Sequence, residues 1–220
     1  MNVEDHFQEE RKKRLTSLSE PVEQPKKSLP DWNKLYSEVN VKDMPWYLSE
    51  LDPDLKDALN EYHIESGTFF DLGTGPGTQA IELSKRGFRV TGSDLSENAI
   101  LKVQMLDDQV KFIQDDILHS KIDSQFDYIL DRGCFHIIDE TQRLVYVSQV
   151  VKLINKEGLF FLKCFSDKNP DTGFGPHHIS ETQINEIFSG QFTIVKIKDS
   201  LYHSNSSQQN RALFVVMKKK

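Results

Sequence analysis

One segment restricts the fold more than any other. FFDLGTGPGTQAIELSKRG, from Phe69 to Gly87, is an apolar run, then glycines at 73, 75 and 77, then a stretch with helical spacing. Glycine lets a backbone turn sharply and lets a ligand approach with no Cβ in the way, so Gly73, Gly75 and Gly77 mark a strand-to-helix turn beneath a binding site. The same rhythm continues downstream. Strands are expected at 68–72, 88–93, 110–114, 126–131 and 159–165, helices at 78–86, 97–106, 140–154 and 180–188, and a further helix at 51–62 ahead of the first strand. Runs such as TFFDL and YIL carry no polar alternation, which suits strands covered on both faces. The last two strands, 192–198 and 212–217, flank a dozen polar residues from Asp199 to Asn210 without helical periodicity, so they must return antiparallel. The expected fold is α/β, a doubly wound, seven-stranded, mostly parallel sheet with an antiparallel last strand. Ligands of such sheets lie beyond the carboxyl ends of the parallel strands. Chemistry is therefore expected in the segments 73–78, 94–97, 115–118, 131–139, 166–179 and 200–210.

Length and charge narrow the class. The 220 residues suit one domain: 1–30, with six basic and six acidic residues and three prolines, reads as a mobile leader or lid, and 31–220 as the domain. A net charge of -7 disfavours a protein that binds by neutralising nucleic-acid phosphates. No apolar run approaches the roughly 20 residues of a membrane span, and the start MNVEDHFQEERKKR lacks the apolar stretch of a secretory signal, so the expected address is cytoplasmic. Cys134 and Cys164 lie far apart with no Cys-x-x-Cys, and the adjacent His177 and His178 diverge, so neither a disulfide scaffold nor a metal site is expected.

The carboxylates choose the ligand. Asp71 precedes the glycine loop, Asp94 ends the second strand, Asp116 follows the third and Asp131 ends the fourth. Such a rim repels the pyrophosphate of a dinucleotide, and Thr78 stands where a dinucleotide fingerprint places its third glycine. S-adenosylmethionine, whose sulfonium and ammonium are positive, suits it. Asp94 is placed to accept both ribose hydroxyls, Leu95 to press on adenine, Asp116 to accept from the exocyclic amine and the Ile117 N–H to reach a ring nitrogen. Thr74 of the loop and Arg132 beside Asp131 are grouped with them, as are Trp32, Tyr36 and Trp46, which form an aromatic cluster in a polar stretch.

DLGTGPGT, SDLS, QDDIL and FDYILDRG, spanning Thr68 to Gly133, resemble the motifs of class I S-adenosylmethionine-dependent methyltransferases. Trp32, Tyr36 and the Pro45–Trp46 pair are similar to the N-terminal signature of the small-molecule branch that includes the thiopurine and tellurite-resistance enzymes. The resemblance covers most of residues 31–220 and implies a Rossmann-like methyltransferase fold in which the N-terminal residues help cover the methionine part of the cofactor. The chain departs from the common loop in having Thr74 where Cys or Ser is frequent and Pro76, which lacks an N–H, where Thr is frequent.

Methyl transfer from a sulfonium is an in-line displacement, and positioning alone supplies on the order of 7–11 kcal/mol in the best cases. Thiolate or chalcogen acceptors need little more, whereas hydroxyls and amines need a base, for which histidine is suited near neutral pH. His203, on the loop between the last two strands, is the first candidate and His136 the second. His203 with Arg211 is similar in spacing to the tellurite-resistance pattern, although Ser204 stands where that pattern has Arg. The loop from Asp167 to Pro176 is expected to admit substrate. The expected protein is a monomeric methyltransferase acting on a small thiol, chalcogen, hydroxyl or amine. The alternatives are a non-catalytic or protein-directed S-adenosylmethionine-binding module and a nicotinamide-dependent oxidoreductase.

Overall fold

The computed structural model describes residues 30–170, 175–205 and 209–220. Its strands are β1 (Thr68–Leu72), β2 (Arg89–Asp94), β3 (Lys111–Gln114), β4 (Phe126–Arg132), β5 (Ile154–Phe165), β6 (Phe192–Tyr202) and β7 (Asn210–Lys219). They form one sheet in the order β3-β2-β1-β4-β5-β7-β6. β1 to β5 pair in parallel, while β7 lies antiparallel between β5 and β6 and is the one strand of the seven that runs the other way. The α-helices are α1 (Trp32–Glu38), α2 (Pro53–Glu61), α3 (Thr78–Ser84), α4 (Glu97–Gln104), α5 (Arg143–Leu153) and α6 (Glu181–Phe188). The doubly wound plan expected from the strand–helix rhythm is the one observed.

Neighbouring strand residues point to opposite faces, and the sequence separates two cores by that period. Phe69, Leu130, Phe161, Phe214 and Val216 face α2, α3 and α4 through Leu55, Leu59, Ala80, Leu83, Ile100 and Val103. Phe70, Ile129, Phe160, Leu162 and Val215 face the other way, onto Tyr146, Val147 and Val150 of α5 and Ile184 and Phe188 of α6. Both faces are buried, which is why the strands read as apolar runs. A small third cluster places Tyr36, Met44, Trp32 and Trp46 against Ala99 of α4, which gives the aromatic stretch the surface it requires.

Several helix starts are set by short side chains. Asp31 accepts from Lys34 N–H at 3.0 Å, Ser96 from Ala99 N–H at 3.1 Å, and Ser180 forms a reciprocal capping pair with Gln183. Asp52 caps α2, with Pro53 in the first turn, where a missing N–H costs nothing.

Element ends differ from expectation in two places. β6 continues to Tyr202 and β7 begins at Asn210, because Ser200, Leu201 and Tyr202 pair with Ala212, Arg211 and Asn210. Backbone bonds carry that ladder, so polar side chains on this sheet edge do not end it. The helix expected at 140–154 opens as a 3-10 turn over Glu140–Gln142, and β5 begins at Ile154, opposite Phe126, before an irregularity that includes Glu157 at φ 66°. The expected leader lies outside the described residues except for Pro30, as do 171–174 of the expected substrate loop and 206–208 between β6 and β7. No helix among the described residues is long and apolar enough to cross a membrane.

Candidate functional site

The glycine loop after β1 is left-handed at each glycine, with φ of 68° at Gly73, 48° at Gly75 and 75° at Gly77, values that side chains with a Cβ rarely adopt. Space is as restrictive as torsion. A Cβ on Gly75 would lie 2.5 Å from the Tyr36 hydroxyl, and one on Gly77 would lie 2.9 Å from Val103. Two pins hold the loop: Thr74 N–H donates to Ser93 carbonyl at 2.7 Å, and Thr74 Oγ1 donates to Asp71 Oδ2 at 2.6 Å. Asp71 is buried, and burial pushes its carboxyl up to about 6 against the hydrogen bonds from Thr74 and the Ala80 backbone. Asp71 and Thr74 thus shape the loop from beneath.

Asp94 is at the rim. Its Oδ2 accepts from Gly75 N–H at 2.9 Å and its Oδ1 from Ser96 N–H at 2.9 Å, so the end of β2, the glycine loop and the start of α4 share one carboxylate. Burial raises its pKa, and backbone N–H donors oppose the rise. Next to it, Leu95 is 55% exposed, an apolar side chain left uncovered at the strand end.

After β3, Asp116 accepts from Leu118 N–H at 2.9 Å and contacts His119 Nδ1 at 2.9 Å, opening a 3-10 turn that begins with Ile117. Its neighbour Asp115 was not singled out by sequence reasoning. Asp115 N–H donates to the Asp94 carbonyl at 3.0 Å and Asp115 Oδ1 accepts from Lys121 N–H, but Oδ2 is the one buried carboxylate oxygen among the described residues without a partner. An unpaired buried acceptor is costly, and an N–H donor arriving from a ligand would satisfy it. Together with the Asp94 carboxylate at the end of the neighbouring strand, these acceptors fit a ligand rich in hydroxyl and amine donors and positive charge.

Over the loop lies a strap formed by α1 and residues 39–52. Trp46 Nε1 donates to the Tyr36 hydroxyl at 3.2 Å, and the Trp46 ring meets Trp32 and Tyr36 edge-on, with centroids 5.8 and 6.4 Å apart. Burial and the Asp94 charge raise the Tyr36 pKa, so the phenol is neutral. Asn33 fastens the outer end, its Oδ1 accepting from Asn98 N–H at 2.9 Å at the start of α4.

Asp131, Arg132 and His136 are placed differently from the expected cofactor and base roles. Asp131 is fully buried, and its oxygens accept from the N–H groups of Gly133, Cys134 and Phe135 and from the Tyr146 hydroxyl. Burial pushes it up to about 7, and it caps the turn after β4 from inside the protein. Arg132, grouped with the cofactor residues by its position, turns away into a charge cluster: Nε donates to Asp52 Oδ2 at 2.8 Å, Nη1 to the Trp46 carbonyl at 3.0 Å and Nη2 to the His203 carbonyl. Lys163 of β5 completes the cluster, its Nζ 2.8 Å from both oxygens of Asp52 and from Asp54 Oδ2. The signal for this was a lone lysine inside LFFLKCF, since charged side chains in doubly covered strands are retained only when paired.

His136 is likewise turned inward. Its Nδ1 accepts from Phe165 N–H at 2.9 Å, and burial lowers its pKa to about 3. One ring nitrogen is spent on the backbone and the neutral ring carries its proton on the other, so a buried His136 has no lone pair to offer an acceptor. His203, partly exposed after β6, is the better placed of the two histidines. Its pKa is lowered by burial first and then by Lys163, with Arg132 adding to the effect. Near it the Phe165, Tyr202 and His136 rings pack together, with centroid separations of 5.0 Å between Phe165 and Tyr202 and 4.6 Å between Phe165 and His136. Among the described residues no group of His, Cys, Asp and Glu could hold a metal ion.

Comparison with known proteins bears on the family and the fold. The family model of thiopurine S-methyltransferase (TPMT) matches residues 28–219. A 2-heptyl-1-hydroxyquinolin-4(1H)-one methyltransferase of Mycobacteroides abscessus is 25% identical over 169 residues, covering 73% of this chain and 74% of that protein. An uncharacterised methyltransferase of Schizosaccharomyces pombe is 31% identical over 104 residues, 45% of this chain and 72% of its own. Among crystal structures, TehB from Haemophilus influenzae aligns with a TM-score of 0.66 at 17% identity, over 77% of this chain and 63% of that one. The 1,6-didemethyltoxoflavin-N1-methyltransferase of Burkholderia thailandensis, solved with S-adenosylhomocysteine, aligns with a TM-score of 0.64 at 16% identity, over 100% of this chain and 91% of that one.

Proposed function

Since the chain belongs to the thiopurine S-methyltransferase family and is an S-adenosylmethionine-dependent methyltransferase of small molecules, we propose that its acceptor is a flat heteroaromatic molecule presenting a hydroxyl or thiol, and that His203 serves as the base when that group is a hydroxyl. The family assignment sets aside the nicotinamide-dependent and non-catalytic alternatives.

In this reading Asp94 accepts the ribose hydroxyls, Leu95 lies on adenine, and Asp115 or Asp116 with the Ile117 N–H meets its polar edge. The backbone at Gly73 and Gly75 passes beneath, and Trp32, Tyr36 and Trp46 cover the methionine part. When bound, S-adenosylmethionine supplies an electrophilic methyl group on a cationic sulfur. The chain's own contribution is alignment and exclusion of water: the aromatic strap closes one side, and the β6–β7 tip with the Phe165 and Tyr202 rings forms the other. The observation that carries the base assignment is the place of His203, partly exposed directly after β6 beside the packed Phe165 and Tyr202 rings, with its pKa lowered by burial and by the Lys163 and Arg132 charges. A neutral imidazole can take a hydroxyl proton as the nucleophile attacks, whereas a thiolate arrives already deprotonated. The aromatic surroundings, together with the heteroaromatic substrates in the names of two relatives, support a flat acceptor. The same proposal takes the enzyme as a cytoplasmic monomer needing no nucleic acid, in line with the net charge of -7.

The test is S-adenosylhomocysteine formation over a panel of heteroaromatic hydroxyls and thiols, with His203→Gln alongside. His203→Gln is expected to slow hydroxyl acceptors about 10²–10⁴-fold while thiols lose less than tenfold. Equal losses for both classes, or no turnover with either, would refute this acceptor assignment.

A further inference from the structure

The buried charges beneath the strap touch neither cofactor nor acceptor in the reading above, yet they join its two sides. We propose that Arg132 is a positioning residue that makes the inner part of the cofactor-side strap, residues 44–52, and the acceptor-side tip, residues 201–205, open and close together, so that cofactor binding preforms the acceptor site. This rests on the reading that the strap covers the cofactor.

Three acceptors converge on one guanidinium. Nε donates to Asp52 Oδ2 at 2.8 Å and Nη1 to the Trp46 carbonyl at 3.0 Å, both in the strap, while Nη2 donates to the His203 carbonyl in the tip. The return contacts run between the same parts. Tyr202 hydroxyl donates to the Arg132 carbonyl at 2.9 Å, the guanidinium carbon lies 4.6 Å over the Tyr202 ring, and Asn205 N–H donates to the Tyr47 carbonyl at 2.8 Å. The Arg132 and Asp52 side chains are 7% and 1% exposed, so water does not reach the pair to replace a broken bond.

Lifting the strap alone would strip two partners from a buried cation and leave Asp52 to Lys163. Moving the tip alone would strip the third. Opening either segment also lets water reach the guanidinium, so its bonds to the other are worth less, which is the condition for two segments to move together. Arginine suits this because its donors are fixed in one plane, whereas the lysine ammonium is a point charge on a flexible stem and cannot meet acceptors on both segments at once.

Amide hydrogen exchange with and without S-adenosylhomocysteine reads the coupling, since Asp52 N–H, which donates to Gln79 Oε1 of α3 at 2.8 Å, reports release of the strap, and Asn205 N–H, which donates to the Tyr47 carbonyl, reports release of the tip from the strap. At a ligand concentration 100 times its Kd, opening that requires release is suppressed about 100-fold. In the wild type both amides are expected to slow by that common factor. In Arg132→Lys, which keeps the charge beside Asp52, Asp52 N–H should still slow while Asn205 N–H changes less than threefold. Protection of Asp52 N–H without Asn205 N–H in the wild type, protection of neither despite binding, or equal protection of both in Arg132→Lys overturns the inference. The wild-type comparison decides even if the variant fails to fold. Absence of calorimetric heat with S-adenosylhomocysteine would instead remove the reading of the crevice, and this coupling with it.

Discussion

Replacing Asp94 by alanine separates cofactor binding from folding, because its carboxylate serves both. On the folding side, Asp94→Ala strips the acceptors from Gly75 N–H and Ser96 N–H, a loss of about 1–3 kcal/mol for each donor left buried. Opposing this, the variant no longer carries a carboxylate whose pKa burial has raised. A raised carboxylate pKa means that the folded state is penalised once the pH exceeds that pKa, so its removal recovers stability at neutral pH. The two effects have opposite sign, and the variant should fold. Binding has no such compensation. In the proposed pose, two charge-assisted hydrogen bonds to the ribose hydroxyls would be lost, about 1.5–3 kcal/mol each, which corresponds to a fall of about two to four orders of magnitude in affinity. Asp94→Asn retains one acceptor oxygen and should fall between. Isothermal titration calorimetry with S-adenosylhomocysteine, paired with thermal melting, measures both sides. Binding to Asp94→Ala within tenfold of wild type, by a folded protein, would show that the ribose is held elsewhere.

Asp52→Ala should cost about 3–5 kcal/mol in urea denaturation, since it leaves Arg132 and Lys163 buried without their shared carboxylate. Burial pushes the Asp52 pKa up, but Lys163 and Arg132 pull it below the ordinary carboxylate range. Its stabilisation is therefore complete above the unfolded pKa of about 3.9 and lost as the pH falls through the folded value, so the gap between wild type and Asp52→Asn should narrow below about pH 4; a constant gap would exclude the pair as its source. Gly75→Ala forces a Cβ into a φ of 48° and to 2.5 Å from the Tyr36 hydroxyl, and should lower the melting temperature by about 2–12 °C, from about 1–3 kcal/mol of strain at about 2–4 °C per kcal/mol. The same variant should weaken S-adenosylhomocysteine binding as Tyr36 and Trp46 are displaced, which tryptophan fluorescence can follow.

Much of the fold was legible because its signals are local. The glycine turn at 73–77 and the apolar runs of β1 and β4 each act within a few residues. Legibility failed where a ladder partner rather than a side chain decided the outcome, as in the extension of β6 through Ser200 to Tyr202. In the site, Asp94 could be placed from its position at a strand end. Asp71 and Asp131 occupy equally suggestive positions, yet they point down into the loop and the turn they brace. Asp115 and Asp116 are adjacent, and only the folded chain leaves an oxygen of the former without a partner.

The order of strands and helices, the crevice at the carboxyl ends of β1 to β4 and its acidic character were determined by sequence alone, because periodicity, turn chemistry and charge are properties of short stretches. Which charged groups face a ligand and which face each other was decided by tertiary structure. Arg132 meets Asp52 across 80 residues and Lys163 meets Asp52 across 111. The worth of a charge depends on the burial and partners that such distant contacts create, so the role of Arg132 as a link between strap and tip could be read only after the chain had folded.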